Sequence, residues 1–443
     1  MRQLFGTDGI RGTAGEYPLN PPTMYALGVA LARWIGSHHL DPEVVLGMDT
    51  RESGPWIAEH LAGGLAEGGV KARSAGLITT PGLAYTARTG PFAAGMMISA
   101  SHNPYQDNGV KIFNHSGFKL PDKEEHQLEQ LMFEWIASGA EPNPQHIHHD
   151  AGLDEAYVQF LRETLPEDLN GLCIAIDPAN GAATHLAPQL FTGAGAKVRL
   201  IHNAPDGRNI NLHCGSQHME DLKKEVLSSG ADFGVAFDGD ADRAMFVSHS
   251  GKTIDGDAVL LLTGIYLKER EGLKEVVATV MSNLGLERAF SRHGIRMLRT
   301  PVGDKYVLEE MLRCDAPLGG EQSGHVIYRK YATTGDGMLT ALRVCEVLTQ
   351  TGKTLDELTA ELETFPQLLV NVRVKEKRPL EELRLVQEEI ARAEEDFGDA
   401  GRVLVRFSGT EPLARVMVEG DRQDRVERWA NSIADTIRAE LGS

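Results

Sequence analysis

The chain has 443 residues, 42% of them hydrophobic, which is enough for several packed cores and too much for a disordered protein. Its 63 acidic against 44 basic residues give a formal net charge of −19. That argues against a nucleic-acid binder, which needs a basic face for the phosphates, while a few local arginines can still serve a phosphorylated small molecule.

At about 150 residues per domain, the length predicts three domains, or four if they are small. The opening MRQLFGTDGIRG lacks the apolar run of a signal peptide. No stretch reaches the roughly 18 apolar residues of a membrane span. Cys173, Cys214, Cys314 and Cys345 are scattered without a CxxC pair, so the expectation is buried, reduced thiols in a cytoplasmic protein.

In chain order, EVVLGMDTR (43–51) is an apolar run ending in polar residues, followed by a helical stretch and a second strand that ends in MMISASHNP. The pattern returns at LCIAIDPANGA (172–182), whose second strand ends in FGVAFDGDADR. It returns again at EVVATVMSNLG (275–285), whose second strand ends in APLGGEQSGH. Short continuous apolar runs between helices predict buried strands of a mostly parallel sheet, so the repeat predicts three tandem α/β units. Ligands of such sheets sit beyond the carboxyl ends of the strands, where all three odd loops fall. EPNPQHIHHDAG (141–152) reads as a linker; its HIHHD run could bind a metal but is taken as solvated. The tail, from about Gln367, reads strand, helix (379–398, ending at a glycine), two strands and a last helix with Val426, Trp429, Ile433, Ile437 and Leu441 at helical spacing. The expected domains are therefore 1–150, 151–252, 253–366 and an α+β domain over 367–443.

The loops carry the chemistry. DGDADR places Asp238, Asp240 and Asp242 at alternate positions, where three carboxylates repel one another unless a cation joins them. An oxygen-only donor set favours Mg²⁺ before Ca²⁺. The spacing is not that of an EF-hand, because Arg243 stands where its glycine belongs and His249 where its glutamate belongs. The bland alternative is an acidic surface turn. Ser101 ends a buried strand without a GxSxG elbow, and His102, as the next residue, is expected to point away from it. A serine that carries a phosphoryl group needs a metal to neutralise charge rather than a histidine to activate it. Lys111 could act as general acid or base beside such a group, or be a surface lysine. In RVLVRFSGTEP, Arg406 could fork onto a phosphate while Ser408, Gly409 and Thr410 offer an anion nest, or the segment is a plain hairpin loop. In GGEQSGH, Glu321 and Ser323 could bind sugar hydroxyls, or form a polar turn.

Five motifs, TDGIRG, SASHNP, DGDADR, GEQSGH and RFSGTEP, follow one another in this order over essentially the whole chain, and on them the sequence resembles the α-D-phosphohexomutase superfamily. The opening FGTDGIRG close to the N-terminus and Gln322 in the sugar loop are similar to its bacterial phosphoglucosamine mutase branch; the phosphomannomutase/phosphoglucomutase branch usually has methionine there. Lys305 in TPVGDKYV stands where the branch often has arginine. The resemblance implies four domains around a central cleft, and a phosphoserine at Ser101. It implies one Mg²⁺ held by Asp238, Asp240, Asp242 and the Ser101 phosphate, with Arg243 beside it. Glu321 and Ser323 would take sugar hydroxyls, Arg406, Ser408, Gly409 and Thr410 the idle phosphate, and Lys111, Arg11 and His325 would line the reaction centre. The implied reaction interconverts glucosamine 6-phosphate and glucosamine 1-phosphate through a glucosamine 1,6-bisphosphate, feeding UDP-N-acetylglucosamine and cell-wall synthesis. Glucosamine or glucose 1,6-bisphosphate would be the activator, and the protein a monomer or homodimer. The same chemistry on glucose or mannose phosphates, a metal-dependent phosphatase and a non-catalytic sugar-phosphate binder are the alternatives.

Overall fold

The computed structural model describes residues 3–6, 8–408 and 412–442. They form two compact units, one over residues up to 281 and 297–360, the other over 282–296 and from 361 onward.

The first unit holds three sheets. The first comprises β1 (Ile10–Thr13), β2 (Glu43–Met48), β3 (Lys71–Leu77), β4 (Ala94–Ile98) and β5 (Asp107–Asn114), in the order β1-β5-β4-β2-β3. The second comprises β6 (Cys173–Asp177), β7 (Lys197–Leu200), β8 (Phe233–Phe237), β9 (Ala244–Ser248) and β10 (Thr253–Ile254), in the order β10-β9-β8-β6-β7. The third comprises β11 (Glu275–Thr279), β12 (Arg296–Thr300), β13 (Leu318–Gly320) and β14 (Val326–Tyr328), in the order β12-β11-β13-β14. In each sheet the first apolar strand of the repeat pairs in parallel with the second: β2 with β4, β6 with β8, β11 with β13. Each second strand then turns back on an antiparallel partner: β4 on β5, β8 on β9, β13 on β14. The loops of SASHNP, DGDADR and GEQSGH are those three turns, so the serine loop, the aspartate loop and the GEQSGH loop occupy equivalent places in three sheets.

The continuous apolar runs follow from burial on both faces. Val44, Leu46, Met96 and Ile98 share one core with the helices Pro21–Ser37, Gly54–Glu67 and Asp122–Ala137. The helix Pro21–Ser37 starts where the Asn20 side chain accepts from the Thr23 N–H and proline fills the first turn. It meets Gly54–Glu67 at a pair of glycines: a Cβ on Gly28 would lie 2.3 Å from the Leu61 carbonyl, one on Gly64 2.1 Å from that of Tyr25. Gly28→Ala should therefore push the helices apart and cost about 1–3 kcal/mol. A melting temperature unchanged from the parent would show that the helices have room to spare.

The segment read as a linker is tied down along the sheet edge. His149 bridges Ser74, the Asp150 N–H donates to the Ser74 carbonyl at 2.8 Å, and Asp150 pairs with Arg73 at 2.5 Å. Among the described residues its histidines form no metal cluster. The four cysteines are free, but only Cys214 and Cys345 are buried; Cys173 and Cys314 are half-exposed, at the start of a strand and the end of a helix.

In the second unit β15 (Gln367–Arg373), β16 (Gly401–Phe407) and β17 (Leu413–Gly420) form an antiparallel sheet in the order β15-β17-β16. The helices Arg384–Phe397 and Gln423–Leu441 cover it through Val386, Phe397, Val426, Ile433, Ile437 and Leu441. The first of these begins later than its sequence suggests. Pro379 and a 3₁₀ turn over Leu380–Glu382 precede it, because proline cannot continue a helical hydrogen-bond ladder backwards. The helix Leu284–Arg292 also belongs to this unit; Asn283 exchanges two 2.9 Å hydrogen bonds with the Phe365 backbone.

Candidate active site

Ser101 caps β4 in the left-handed region (φ 53°), a conformation that costs a non-glycine residue energy and that clusters at functional sites. The turn drives its Oγ onto the aspartate loop, where it donates to Asp238 Oδ2 at 2.6 Å. It also brings Oγ within 3.2 Å of His102 Nδ1. The expectation that His102 points away is thus corrected: side chains of successive residues diverge in an extended chain, not through a left-handed turn. Burial, with Arg243 and Arg11 nearby, pushes the His102 imidazole down to about 4, so it is neutral at pH 7.

Asp238, Asp240 and Asp242 follow β8, are buried, and hold their ligand oxygens within 4.8 Å of one another. Burial and the Asp242 and Asp240 charges push the Asp238 carboxyl well above the usual range. Asp240 Oδ2 accepts from Thr80 Oγ1 at 2.5 Å and Lys111 Nζ at 2.8 Å, whereas Asp240 Oδ1 and Asp242 Oδ1 are buried without a hydrogen-bond partner. Orphaned buried carboxylate oxygens beside a third carboxylate fit a hard cation.

The cationic side of the site is an alternating chain. Lys111 Nζ lies 2.8 Å from Asp240, 3.2 Å from Asp8 and 3.5 Å from Asp242. Burial alone would lower its pKa, but these carboxylates raise it, so Lys111 stays protonated. Arg11, on β1, pairs with Asp8. Lys119 joins Asp8 to Asp304, at 2.5 Å each. His325 is buried with Nδ1 3.7 Å from Asp242 and Nε2 3.8 Å from Asp304. The Gly335 N–H donates to Nε2 at 2.9 Å, which leaves the ring proton on Nδ1, towards Asp242.

The GEQSGH loop packs on the aspartate loop. The Ala244 N–H donates to the Gly324 carbonyl at 3.0 Å, and a Cβ on Gly324 (φ 91°) would lie 2.4 Å from the Ala244 carbonyl oxygen. Glu321 accepts from the Gly303 N–H at 3.1 Å, Ser323 is exposed, and Gln322 donates to Asp255 at 3.2 Å. Arg243 donates its N–H to Asp238 Oδ1 at 3.2 Å. Burial would lower its guanidinium pKa, but Asp242, Asp238 and Glu321 raise it.

In the second unit Arg406 on β16 faces Arg415 on β17 in register. Burial and Arg415 lower the Arg406 pKa. Two arginines directly opposite repel unless an anion lies between them. Lys377 Nζ donates to the Ser408 carbonyl at 2.5 Å. Gly409 and Thr410 lie outside the described residues.

The structure thus brings Ser101, Lys111, Arg11, His325, Arg243, Glu321 and the three aspartates together within one unit, and places Arg406 and Ser408 in the other. Sequence reasoning missed Thr80, His102, Lys119 and Asp304 in the first unit, and Lys377 and Arg415 in the second. Of these, His102 lies inside SASHNP and Asp304 inside TPVGDKYV, as Asp8 lies inside TDGIRG; the others carried no signal. A second cluster, Asp177, His202 and Cys214, also has metal-ligand chemistry. Its carboxylate, however, is taken by N–H donors from His202 (2.9 Å), Gly215 (2.9 Å) and Ala179 (2.8 Å), and burial pushes the Cys214 thiol up to about 12. It is a hydrogen-bonded turn.

Four families match in order: Phosphoglucomutase/phosphomannomutase, alpha/beta/alpha domain I over residues 2–138, domain II over 155–251 and domain III over 255–365, then the C-terminal domain over 369–436. A phosphoglucosamine mutase of Solibacter usitatus is 60% identical over 443 residues, covering 100% of this chain and 99% of that protein. A phosphoglucosamine mutase of Koribacter versatilis is 49% identical over 453 residues, covering 100% and 98%. The crystal structure of a phosphoglucomutase/phosphomannomutase family protein from Burkholderia thailandensis superposes with a TM-score of 0.82 at 23% identity, covering 98% of this chain and 97% of that one, and so shares the fold. With four matching domains in order and relatives of this identity along its whole length, the chain belongs to the phosphoglucosamine mutase family of α-D-phosphohexomutases.

Proposed function

We propose that the chain interconverts glucosamine 6-phosphate and glucosamine 1-phosphate, with Ser101 carrying the phosphoryl group. The observation that carries this reading is the Ser101 hydroxyl, held 2.6 Å from Asp238 beside two aspartates with orphaned oxygens, in a chain 60% identical to a phosphoglucosamine mutase. Phospho-Ser101 gives its phosphoryl group to the sugar O1: the Ser101 O–P bond breaks as the O1–P bond forms. The proton of the sugar O1 hydroxyl passes by way of the neutral His102 imidazole, 3.2 Å from Ser101 Oγ, to the departing serine oxygen. The glucosamine 1,6-bisphosphate then turns over, and its 6-phosphoryl group returns to Ser101. Asp238, Asp240, Asp242 and the Ser101 phosphate would hold Mg²⁺, which when bound neutralises charge on the phosphoryl oxygens. Lys111, locked in its protonated form by three carboxylates, adds charge on the same side. Arg11 and His325 line this centre, Arg243 joins it to the sugar loop, and Glu321 and Ser323 take ring hydroxyls. Glucosamine or glucose 1,6-bisphosphate serves as activator by rephosphorylating Ser101.

The domains are read as 1–150, 151–252, 253–366 and 367–443. No described helix is long and apolar enough to cross a membrane; the reading is a cytoplasmic enzyme, monomer or homodimer, that supplies precursors of UDP-N-acetylglucosamine and the cell wall. A coupled assay of glucosamine 6-phosphate isomerisation, beside glucose and mannose phosphates and inorganic phosphate release, tests the function. Release of phosphate without an isomer would make it a phosphatase, and higher kcat/KM on glucose or mannose phosphate would move the substrate.

Arg406, with Ser408, Gly409 and Thr410, grips the phosphate that is not reacting. Arg406→Ala should lose about 1.5–3 kcal/mol of that grip, roughly ten- to a hundredfold in kcat/KM, in both reaction directions. Ser101 should still become phosphorylated. Arg406→Lys should recover only part, because lysine does not fork onto two oxygens. A defect confined to one direction would remove Arg406 from the site.

A further inference from the structure

Nine described residues other than glycine adopt the left-handed backbone, and seven of them lie in the serine loop, the aspartate loop or residues 179–213. Such residues persist only where the surroundings over-determine them. For Ser101 the surroundings form a closed circuit. Its N–H donates to Ser99 Oγ at 2.9 Å, and Ser99 Oγ donates to Asp49 Oδ2 at 2.5 Å. Asp49 pairs with Arg51, whose Nη2 donates to the carbonyls of Ser101 (3.2 Å) and Asn103 (2.6 Å). Asp49, Arg51 and Ser99 are each 1% exposed or less.

A second donor reaches the same two carbonyls from the segment that follows β7. Asn211 Nδ2 donates to Ser101 O at 2.9 Å and Asn103 O at 3.0 Å. Both partners are carbonyls, so the amide nitrogen must face them. Asn211 is itself left-handed (φ 59°) and anchored by its N–H on the Ala179 carbonyl at 3.0 Å. The aspartate loop leans on this joint: a Cβ on Gly239 would lie 2.5 Å from Ser101 O and 2.9 Å from Asn211 Nδ2.

We propose that Arg51 and Asn211 are positioning residues that clamp the Ser101 and Asn103 carbonyls, hold Ser101 in its left-handed turn and so aim its Oγ at the aspartates. Because Arg51 follows β2 and Asn211 comes from the segment after β7, the aim of Ser101 depends on the second sheet being docked on the first. The inference rests on Ser101 being the phosphoryl carrier. A clamp on the nucleophile's backbone touches no substrate, so its loss acts on the transfer step and not on sugar binding.

The test uses Asn211→Gly and Asn211→Asp in the full-length protein, since both residues accept the left-handed backbone. Asp keeps the shape but turns donors into acceptors facing two carbonyls. Losing two neutral hydrogen bonds should lower kcat roughly tenfold or more in Asn211→Gly, with KM within about twofold. Asn211→Asp should be as slow or slower, and the ³¹P resonance of phospho-Ser101 should shift in both. Asn211→Asp turning over at the parent rate would overturn the proposal, as would a loss carried by KM, or one that tracks a fall in melting temperature. Intact mass and Ser101→Ala run alongside separate the two readings: an active Ser101→Ala protein removes the carrier itself, whereas an inactive one with a normal Asn211→Asp removes only the clamp.

Discussion

Ser101→Ala should abolish isomerisation, by more than about 10³-fold in kcat, while leaving the fold intact. The size of the effect follows from the proposed role: if Ser101 Oγ is the carrier, without it no atom of the chain would carry the phosphoryl group between the two sugar positions, and what remains would be positioning alone. The fold should survive because alanine meets the same left-handed backbone as serine, and the circuit through Ser99, Asp49, Arg51 and Asn211 uses only the Ser101 backbone. The one side-chain contact to an acid that is lost is with Asp238, whose other oxygen still accepts from the Arg243 N–H at 3.2 Å. The melting temperature should therefore stay within a few degrees, a change of about 1 kcal/mol. Incubation with glucose 1,6-bisphosphate should add one phosphoryl mass to the parent protein and none to the variant. Turnover near the parent rate, or phosphorylation of the variant, would place the carrier elsewhere.

The three loops of the first unit were legible because each ends a continuous apolar run, and such runs betray strands buried on both faces. Their equivalence is topological: each joins a parallel strand to an antiparallel return, and the sequence repeat is the trace of that shared plan. What the sequence did not reveal is which side chains those loops meet. Thr80 reaches Asp240 across 160 residues and Lys119 reaches Asp304 across 185. No periodicity connects them, because docking of one sheet against the next is fixed by loop packing, as at Gly324 on Ala244. His102 was misjudged for a local reason: alternation of side chains holds along a strand and fails through the left-handed Ser101. Arg415 was hidden by register, since only the pairing of β16 with β17 sets it opposite Arg406. The cysteines show the limit of composition, which shows that no CxxC pair is present but not whether a strand end leaves a thiol half-exposed.

Asp240→Asn should cost roughly a hundredfold or more in kcat and, by an independent readout, weaken cation binding. Asp240 serves two partners at once: Oδ2 neutralises Lys111 and accepts from Thr80, and Oδ1 is left buried for a ligand the protein does not itself supply. Asparagine keeps the volume and one acceptor but removes the charge and puts donor hydrogens on the other atom. If those face the cation they repel it; if they face Lys111 they strand a buried ammonium with only Asp8 and Asp242. Either rotamer damages the site, which is why an isosteric change should be severe. A divalent ion contributes several kcal/mol to a developing phosphoryl charge, so losing even part of its occupancy gives the predicted fall. An ion held only by the folded protein stabilises it, so on the proposed role Mg²⁺ at a hundred times its Kd should add about 2.7 kcal/mol of stability to the parent. A variant with tenfold weaker affinity should gain about 1.3 kcal/mol less at the same concentration. Thermal melts across a MgCl₂ titration, with and without a chelator, read this without any turnover. Identical Mg²⁺-dependent shifts in parent and variant would take Asp240 out of the metal site. Full activity of the parent protein after exhaustive chelation would remove the site altogether, and with it the reason for three buried carboxylates to stand within 4.8 Å of one another.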